Sequence, residues 1–181
     1  MDQSTLNYII ESSKRNDNQA FRTIVECYQS RLYSLVFRII GNEDDAKDIV
    51  QETFIRVWMK LSGYNTEKKF STWIYAIATN LCFDKLKSAK NHYRTVNFDD
   101  TLNELISSEN IEQKIIDTEL GQLILALTNK LTAKQKIVFT LRDLEELEVE
   151  EIIQITGLTA NKIKSNLFLA RQAIRNKLKS L

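Results

Sequence analysis

Apolar residues recur every three to four positions over most of the chain, which is the spacing of amphipathic helices. The periodicity predicts helices near residues 5–14, 18–40, 44–62, 71–90, 111–128, 132–143, 148–155 and 160–179. Between roughly 91 and 110, the stretch NHYRTVNFDDTLNELISSEN loses this periodicity and becomes acidic, as linkers often are. We therefore predict an all-α protein with two small helical domains, residues 1–90 and 111–181, joined by an acidic linker at 91–110.

The composition agrees with a helical protein, because 181 residues include no Pro and only four Gly. Cys27 and Cys82 lie far apart, and the only histidine is His92, so we predict neither a metal site nor a disulfide framework. The N-terminal residues MDQSTLNYII do not resemble a signal peptide, and no window approaches the roughly 18 apolar residues of a membrane span. We expect a cytoplasmic protein with reduced thiols, no cofactor and no small-molecule substrate.

The net charge of +1 averages over patches of opposite sign. All six acids of residues 131–181 lie between Asp143 and Glu151, whereas Thr159 to Leu181 contains six bases and no acid. A nearly neutral chain therefore ends in a basic helix.

This last predicted helix has two distinct faces. Its apolar face carries Ile163, Leu167, Ala170, Ile174 and Leu178. Its polar face carries Asn161, Ser165, Phe168, Gln172 and Arg175, flanked by Lys162, Lys164 and Arg171. Amides and a hydroxyl suit base edges, the cations suit phosphates, and an outward aromatic ring suits a thymine methyl group or a sugar.

Gly157 and a Thr159 N-cap predict a short turn before this helix, and Ile152, Ile155 and Leu158 would anchor the helix that precedes it. Two helices joined by about four residues, the second of them basic, form the helix-turn-helix arrangement. A surface hairpin whose charges only solvate it is the alternative, because such patterns give false positives.

The predicted helix in DDAKDIVQETFIRVWMKL also has two faces. Its apolar side carries Ala46, Val50, Thr53, Phe54, Val57 and Leu61, and its other side carries Asp48, Gln51, Glu52, Ile55 and Met59. An acid–amide stripe that contains exposed Ile and Met is typical of a protein-docking surface. Packing against another helix of the same domain is an equal alternative.

The predicted helix in FSTWIYAIATNLCFDKLKSAK is apolar on most sides and must be largely buried. Its polar seam is Asn80, Asp84 and Lys87, and the loop YNTEKKF before it carries Lys68 and Lys69. A basic loop beside such a seam could bind single-stranded nucleic acid. Trp58 and Trp73 are interpreted as core residues.

Together these segments resemble the extracytoplasmic-function (ECF) sigma factors of bacterial RNA polymerase. AKDIVQETFIRVWMKL is similar to the family's polymerase-docking helix, FSTWIYAIATNLCFDKLK to its −10 segment, and LTAKQKIVFTLRDLEELEVEEIIQITGLTANKIKSNLFLARQAIRNKL to its −35 helix-turn-helix domain. The acidic stretch falls where the family has its linker. The resemblance implies an alternative sigma factor whose partners are core polymerase, through the β′ coiled coil and the β flap, promoter DNA and an anti-sigma factor.

The resemblance also implies roles for individual residues. It assigns polymerase docking to Asp48, Gln51, Glu52 and Ile55. Contacts to the −10 element fall to the loop 64–70 with Lys68 and Lys69, and to Asn80, Asp84 and Lys87. Contacts to the −35 element fall to Asn161, Lys162, Lys164, Ser165, Phe168, Arg171, Gln172 and Arg175. The linker acids Asp99, Asp100, Glu104 and Glu109 would lie in the RNA exit path. The chain departs from the family pattern at Thr132 (usually Pro), Ile153 (often Ala), and Asn166 and Leu169 (commonly Arg), so no promoter sequence is predicted.

Two other functions compete with this one. A stand-alone helix-turn-helix regulator would explain the basic helix, but not the order of the other segments. An enzyme could use Glu43, Asp44, Asp45 and Asp48 to hold a metal, although GNEDDA is also typical of a helix N-terminus, whose dipole favours acids. Because no nucleophile–base set, phosphate loop or zinc spacing is present, we predict no catalytic residues.

Overall fold

The computed structural model describes residues 2–93 and 119–179, and every regular element in those ranges is helical. The predicted linker and residues 111–118 therefore lie outside the described residues, except that 91–93 belong to a helix. The helices are α1 (Gln3–Lys14), α2 (Asn18–Ile40), α3 (Glu43–Lys60), α4 (Phe70–Tyr93), α5 (Glu119–Thr128), α6 (Ala133–Phe139), α7 (Val149–Thr156) and α8 (Ala160–Leu178). A 3-10 turn, Leu61–Gly63, follows α3, and a π-helical segment, Thr140–Leu144, follows α6.

Local chemistry sets the helix boundaries. The side chains of Asp17 and Asn42 accept hydrogen bonds from backbone N–H groups in the first turns of α2 and α3. Gly41 ends α2 in the left-handed conformation, with a φ of 80°. Thr132, at the position where the family usually has Pro, begins α6 through a capping box with Gln135.

Helices α1 to α4 form one bundle, in which α2 packs on α1, α3 and α4. Leu32, Leu35, Val36, Val57 and Ile74 are fully or almost fully buried in its core. Trp58 and Trp73 are both half-buried. Trp73 packs against that core, and Trp58 lies edge-on to Phe21 at 4.7 Å between ring centroids. The bundle is thus held by the apolar faces that the periodicity predicts.

Helices α5 to α8 pack around α8, which contacts α5, α6 and α7. Ile137, Val138, Ile152 and Ile163 are buried between them. The turn between α7 and α8 begins at Gly157, with a φ of 67°, and Thr159 caps α8 by accepting a hydrogen bond from the Lys162 N–H. This is the predicted helix-turn-helix geometry.

The two bundles pack directly on each other. Helix α4 lies against α7 and α6, and α2 contacts α5 and the π-helical segment. The buried apolar residues of both bundles form one continuous cluster. This contact positions the helix-turn-helix beside the loop that precedes α4.

Candidate functional site

The predicted docking residues lie together on the outer face of α3. Asp48, Gln51 and Ile55 are exposed, Ile55 by 47%, and Glu52 is half-buried. Met59, one turn beyond Ile55, is 72% exposed. The opposite side of α3 is buried from Ala46 to Val57. The structure therefore favours an open surface here over packing against a neighbouring helix, and we call Asp48, Gln51, Glu52 and Ile55 the docking stripe.

An apolar groove of about 490 Å³ borders the docking stripe between α2 and α3. Gln51 and Ile55 belong to both the stripe and the groove. The other lining residues are Phe21, Val25, Gln29, Tyr33, Lys47, Val50, Phe54 and Trp58. The sequence did not predict this groove, because its walls come from two helices.

The basic loop 64–70 is fixed by its own side chains. Tyr64 is buried and packs edge-on against Phe70 and at a tilt against Trp73, with ring centroids 5.3 and 4.8 Å away. The Tyr64 hydroxyl donates to the Lys68 carbonyl, and Lys14 Nζ donates to the Tyr64 carbonyl at 2.9 Å. Burial raises the pKa of Tyr64 to about 12, so its hydroxyl remains a donor. Lys68 and Lys69 are left exposed at the tip.

The polar seam of α4 has the predicted exposure: Asn80, Asp84 and Lys87 all face solvent. Its flanks, however, are covered by the second bundle. Asn80 lines a cavity of about 270 Å³ with Lys134, Ile137 and Leu158, and Lys87 lines another with residues that include Asn166. The seam therefore lies at the edge of the contact between the bundles.

The outer face of α8 presents the predicted DNA-binding residues to solvent. Phe168 is 66% exposed, an unusual environment for a phenylalanine ring unless a partner covers it. The exposed polar members are Asn161, Lys162, Lys164, Ser165, Arg171, Gln172 and Arg175. Leu178, which the periodicity assigns to the apolar face, is 50% exposed because the last turn of α8 extends past the residues that cover Ile163 and Ala170.

Three of the acids in the run from Asp143 to Glu151 contact basic residues that lie far away in the sequence. Glu151 lies 2.8 Å from Lys69, Glu145 lies 2.6 Å from Arg38, and Asp143 lies 2.6 Å from Arg171. The Lys69 hydrogen bond holds the pKa of Glu151 below its ordinary value. The sequence contains the acidic run but does not predict these partners, since helical periodicity carries no information on contacts so distant.

The acids proposed for a metal site form the start of α3 instead. Glu43, Asp44 and Asp45 occupy its first turn, where the helix dipole favours negative charge. Among the residues that the structure describes, no group of three or more His, Cys, Asp or Glu side chains could hold a metal ion. No described helix is long and apolar enough to cross a membrane.

Residues 24–92 match the family model of sigma-70 region 2, and residues 121–174 match that of sigma-70 region 4. The ECF RNA polymerase sigma factor SigW of Bacillus subtilis is 32% identical over 179 residues, covering 95% of this chain and 96% of the relative. The ECF RNA polymerase sigma-E factor of Escherichia coli K12 is 30% identical over 190 aligned positions, covering 99% of this chain and 97% of the relative. The chain belongs to the ECF sigma factors.

Two solved structures share the fold of this sigma factor. CnrH in complex with the cytosolic domain of CnrY superposes with a TM-score of 0.69 at 18% identity, over 99% of both chains. The sigma factor RpoE of Bartonella quintana, in complex with the anti-sigma factor NepR, gives 0.67 at 20% identity, over 88% of this chain and 96% of that one. The predicted all-α fold is confirmed.

The family membership favours the sigma-factor interpretation over a stand-alone regulator. The protein is an alternative sigma factor that directs core RNA polymerase to promoters and acts in transcription initiation. The roles of individual residues and the domain boundaries stay predictions.

Proposed function

We propose that the docking stripe is the surface through which this sigma factor binds the β′ coiled coil of core polymerase. The observation that supports this proposal is the exposure of Ile55 among the acids and the amide of the stripe, with exposed Met59 one turn beyond it. Apolar side chains surrounded by polar ones are typical of the centre of a protein interface. The β flap would hold the second bundle.

The loop 64–70 and the seam Asn80, Asp84 and Lys87 would bind the non-template strand of the −10 element. Extruding a base from the duplex costs a few kcal/mol. A pocket that is already formed adds no further cost of ordering the loop to this value. The fixed loop supports this assignment, because Tyr64 and Phe70 order it before any DNA is present. Lys68 and Lys69 would meet backbone phosphates.

The outer face of α8 would read the −35 duplex from the major groove. Asn161, Ser165 and Gln172 can form hydrogen bonds with base edges, and Phe168 can contact a thymine methyl group. The cations that would contact phosphates are Lys162, Lys164, Arg171 and Arg175. Such contacts orient the helix without carrying sequence information.

The remaining assignments follow from the family. The protein would act in the cytoplasm, where polymerase and DNA are, and polymerase would perform the chemistry while this chain catalyses none. We propose residues 1–90 and 111–181 as the two functional domains, with 91–110 as the linker. An anti-sigma factor would bind and control the protein, just as the Bartonella quintana RpoE forms a complex with the anti-sigma factor NepR.

In vitro transcription from a set of genomic promoter fragments tests the proposal. Core polymerase from the source organism is assayed with and without the protein, and with the triple variant Asp48→Ala, Gln51→Ala and Glu52→Ala. We expect promoter-specific transcripts only with the wild-type protein. The triple variant should fold normally, since these side chains are at least partly exposed, yet lose binding to core polymerase.

A matched control removes two acids and one amide elsewhere: Glu11→Ala, Gln19→Ala and Glu26→Ala on α1 and α2, all exposed. This control should transcribe like the wild-type protein. Tight DNA binding without polymerase, and no transcript with it, would refute the proposal and favour a stand-alone regulator.

A further inference from the structure

We propose that the cavity between α4 and the turn that joins α5 to α6 is a binding site for a nucleoside triphosphate. The cavity encloses about 510 Å³, a volume within the usual range of small-molecule sites. It is lined by four cations, Lys87, Lys130, Lys134 and Lys136, and none of the described residues that line it is an acid. Binding here would require neither polymerase nor promoter DNA, so the site is independent of the proposed function.

Lys136 is the buried cation of this cavity. Its side chain on α6 is 8% exposed, and no described residue forms a hydrogen bond or an ion pair with its ammonium. The neighbouring Cys82 thiol is uncharged at neutral pH, because burial raises its pKa to about 12, so it does not compensate the ammonium. A buried charge without a partner is unfavourable, and such groups are concentrated at functional sites. An anion in the cavity would supply the missing partner.

The other three lysines supply mobile charge at the rim. Lys87 of α4, Lys130 of the turn and Lys134 of α6 are all exposed, and none of them pairs with an acid in the part of the chain that the structure describes. A lysine ammonium binds phosphate as a point charge, and its flexible stem lets it follow a chain of phosphates. One buried cation and three adjustable ones therefore suit a polyphosphate better than a single carboxylate.

One wall of the cavity is apolar and suits a nucleobase. Phe83 and Leu86 of α4 contribute to it, together with Leu131 of the turn. Phe83 is only half-buried, so its ring is accessible from the cavity side. Bases stack favourably on aromatic side chains whatever their identity. Inorganic phosphate would leave this wall unused, which favours a ligand that joins a ring to its phosphates.

Two amides of the lining have unused hydrogen-bonding groups. Asn166 donates to the Lys162 carbonyl at 2.7 Å, and its Oδ1 has no partner among the described residues. Asn129 accepts from Lys177 at 3.1 Å, and its Nδ2 is likewise without a described partner. An amide oxygen and an amide nitrogen are the acceptor and the donor that a base edge or a ribose hydroxyl requires.

Isothermal titration calorimetry on the full-length free protein tests the site. The probes are the four ribonucleoside triphosphates, inorganic tripolyphosphate and adenosine. At least one nucleoside triphosphate should bind ten times more tightly than tripolyphosphate, since it uses both the cations and the apolar wall. Adenosine, which lacks the phosphates, should bind more weakly than either. Affinity for the triphosphates should also fall with added salt, because the three rim charges are open to screening.

Lys136→Met tests the buried cation. The substitution keeps the volume and removes an unpaired charge, so the variant should fold at least as stably as the wild-type protein. Its affinity for the best nucleoside triphosphate should nevertheless fall at least tenfold. The same ligand should raise the melting temperature of the wild-type protein more than that of the variant, because a ligand stabilises the folded state only as far as it binds to it.

A double variant tests the rim. Lys130→Ala with Lys134→Ala should weaken binding several-fold, whereas Lys87 is kept in every variant because it also belongs to the seam of proposed −10 contacts. Lys60→Ala with Lys179→Ala is the matched control: it removes two exposed lysines that do not line the cavity and should bind like the wild-type protein. Circular dichroism checks that all variants keep their helices.

Each contrary result would overturn a stated part of the proposal. A wild-type protein that binds none of the four triphosphates, or a Lys136→Met variant that binds them undiminished, would overturn the site. An equal loss of affinity in the Lys60 and Lys179 control would show general charge attraction and would also overturn it. Tripolyphosphate binding as tightly as the best nucleotide would overturn the assignment of a nucleoside.

Discussion

Arg171 on α8 is held by Asp143 in the π-helical segment. Arg171 donates from Nε and from one terminal nitrogen to the two carboxylate oxygens, at 2.9 and 2.6 Å. The two hydrogen bonds fix the plane of the guanidinium, which a single bond would leave free to rotate. The carboxylate also raises the pKa of Arg171. Asp143 is therefore a positioning residue for a proposed −35 contact.

Asp143→Asn removes the negative charge and one acceptor oxygen while keeping the side-chain shape. We expect transcription from a −35-dependent promoter to fall several-fold, because Arg171 loses its fixed orientation. Binding to core polymerase should not change, and the free energy of unfolding should fall by no more than about 1 kcal/mol for a partly exposed pair. Glu26→Gln, which removes the surface partner of Arg22, serves as control. Equal transcription by the two variants would show that the Asp143–Arg171 pair has no role in promoter binding.

Phe168→Ala separates DNA binding from folding at the most unusual residue of α8. The ring is 66% exposed, so its loss should change the free energy of unfolding by less than about 0.5 kcal/mol. Transcription should nevertheless fall, because the variant cannot make the contact with the −35 duplex that is proposed for this ring. Leu178→Ala is the matched control, since this apolar side chain is 50% exposed on the same helix but one turn beyond Arg175. Runoff assays and urea denaturation measure the two effects.

Glu146 holds a left-handed backbone conformation, with a φ of 56°. The left-handed conformation costs a non-glycine residue roughly 1–2 kcal/mol of strain. A glycine avoids this strain but lowers stability by about 0.5–1 kcal/mol, because its unfolded chain has more conformational freedom to lose. Glu146→Gly should therefore raise the free energy of unfolding by about 0.5 kcal/mol, a difference between those two effects. Asn16, with a φ of 66°, provides the comparison: Asn tolerates this conformation, so Asn16→Gly should change little. A destabilised Glu146→Gly protein would contradict the strain argument.

Alkaline pH should weaken the fold through Cys82. Burial raises the pKa of this thiol to about 12, so the folded protein keeps the proton that the unfolded chain releases near pH 9. The stabilisation is thus complete below pH 9 and is lost as the pH rises towards 12. Urea denaturation from pH 8 to 11 should show falling stability, and Cys82→Ala should make the fall shallower. A fall of equal slope in that variant would assign the pH dependence to other groups.

Lys136 changes the pH dependence of stability with the opposite sign to Cys82. It is 8% exposed, and no described acid pairs with its ammonium, so burial lowers its pKa. Burial of the charged ammonium lowers the free energy of unfolding, and this destabilisation disappears as rising pH removes the proton. Lys136→Met should raise the free energy of unfolding at pH 7 by about 1 kcal/mol, because an unpaired buried charge is removed while the volume is kept. In the wild-type protein, deprotonation of Lys136 offsets part of the stability that is lost at high pH. The variant lacks this gain, so it should lose stability more steeply above pH 9.

The apolar periodicity predicted the described helices to within a few residues, together with the exposure of Ile55, Met59 and Phe168. It succeeded because most of the helices, α4 excepted, bury a single stripe and because caps such as Asn42 and Thr159 mark the ends. The predicted helix 132–143 is instead split at Thr140 by a π-helical segment, in which the Glu145 N–H bonds to the Thr140 carbonyl. Such a change in hydrogen bonding leaves the spacing of apolar residues almost unaltered.

The contact between the bundles could not be predicted from local pattern. The pair Arg38–Glu145 spans 107 positions, and each residue alone is typical of a solvated helix surface. The sequence did contain one sign of it, since α4 has too many apolar sides for a helix at the edge of one small bundle. That signal predicts burial but does not identify the partner.

The docking stripe stays open to solvent although the two bundles pack on each other. The proposed contact with polymerase therefore requires no prior rearrangement of the chain. In rapid-mixing experiments, the rate of binding should then rise in proportion to polymerase concentration, without a ceiling set by a slow step within the free protein.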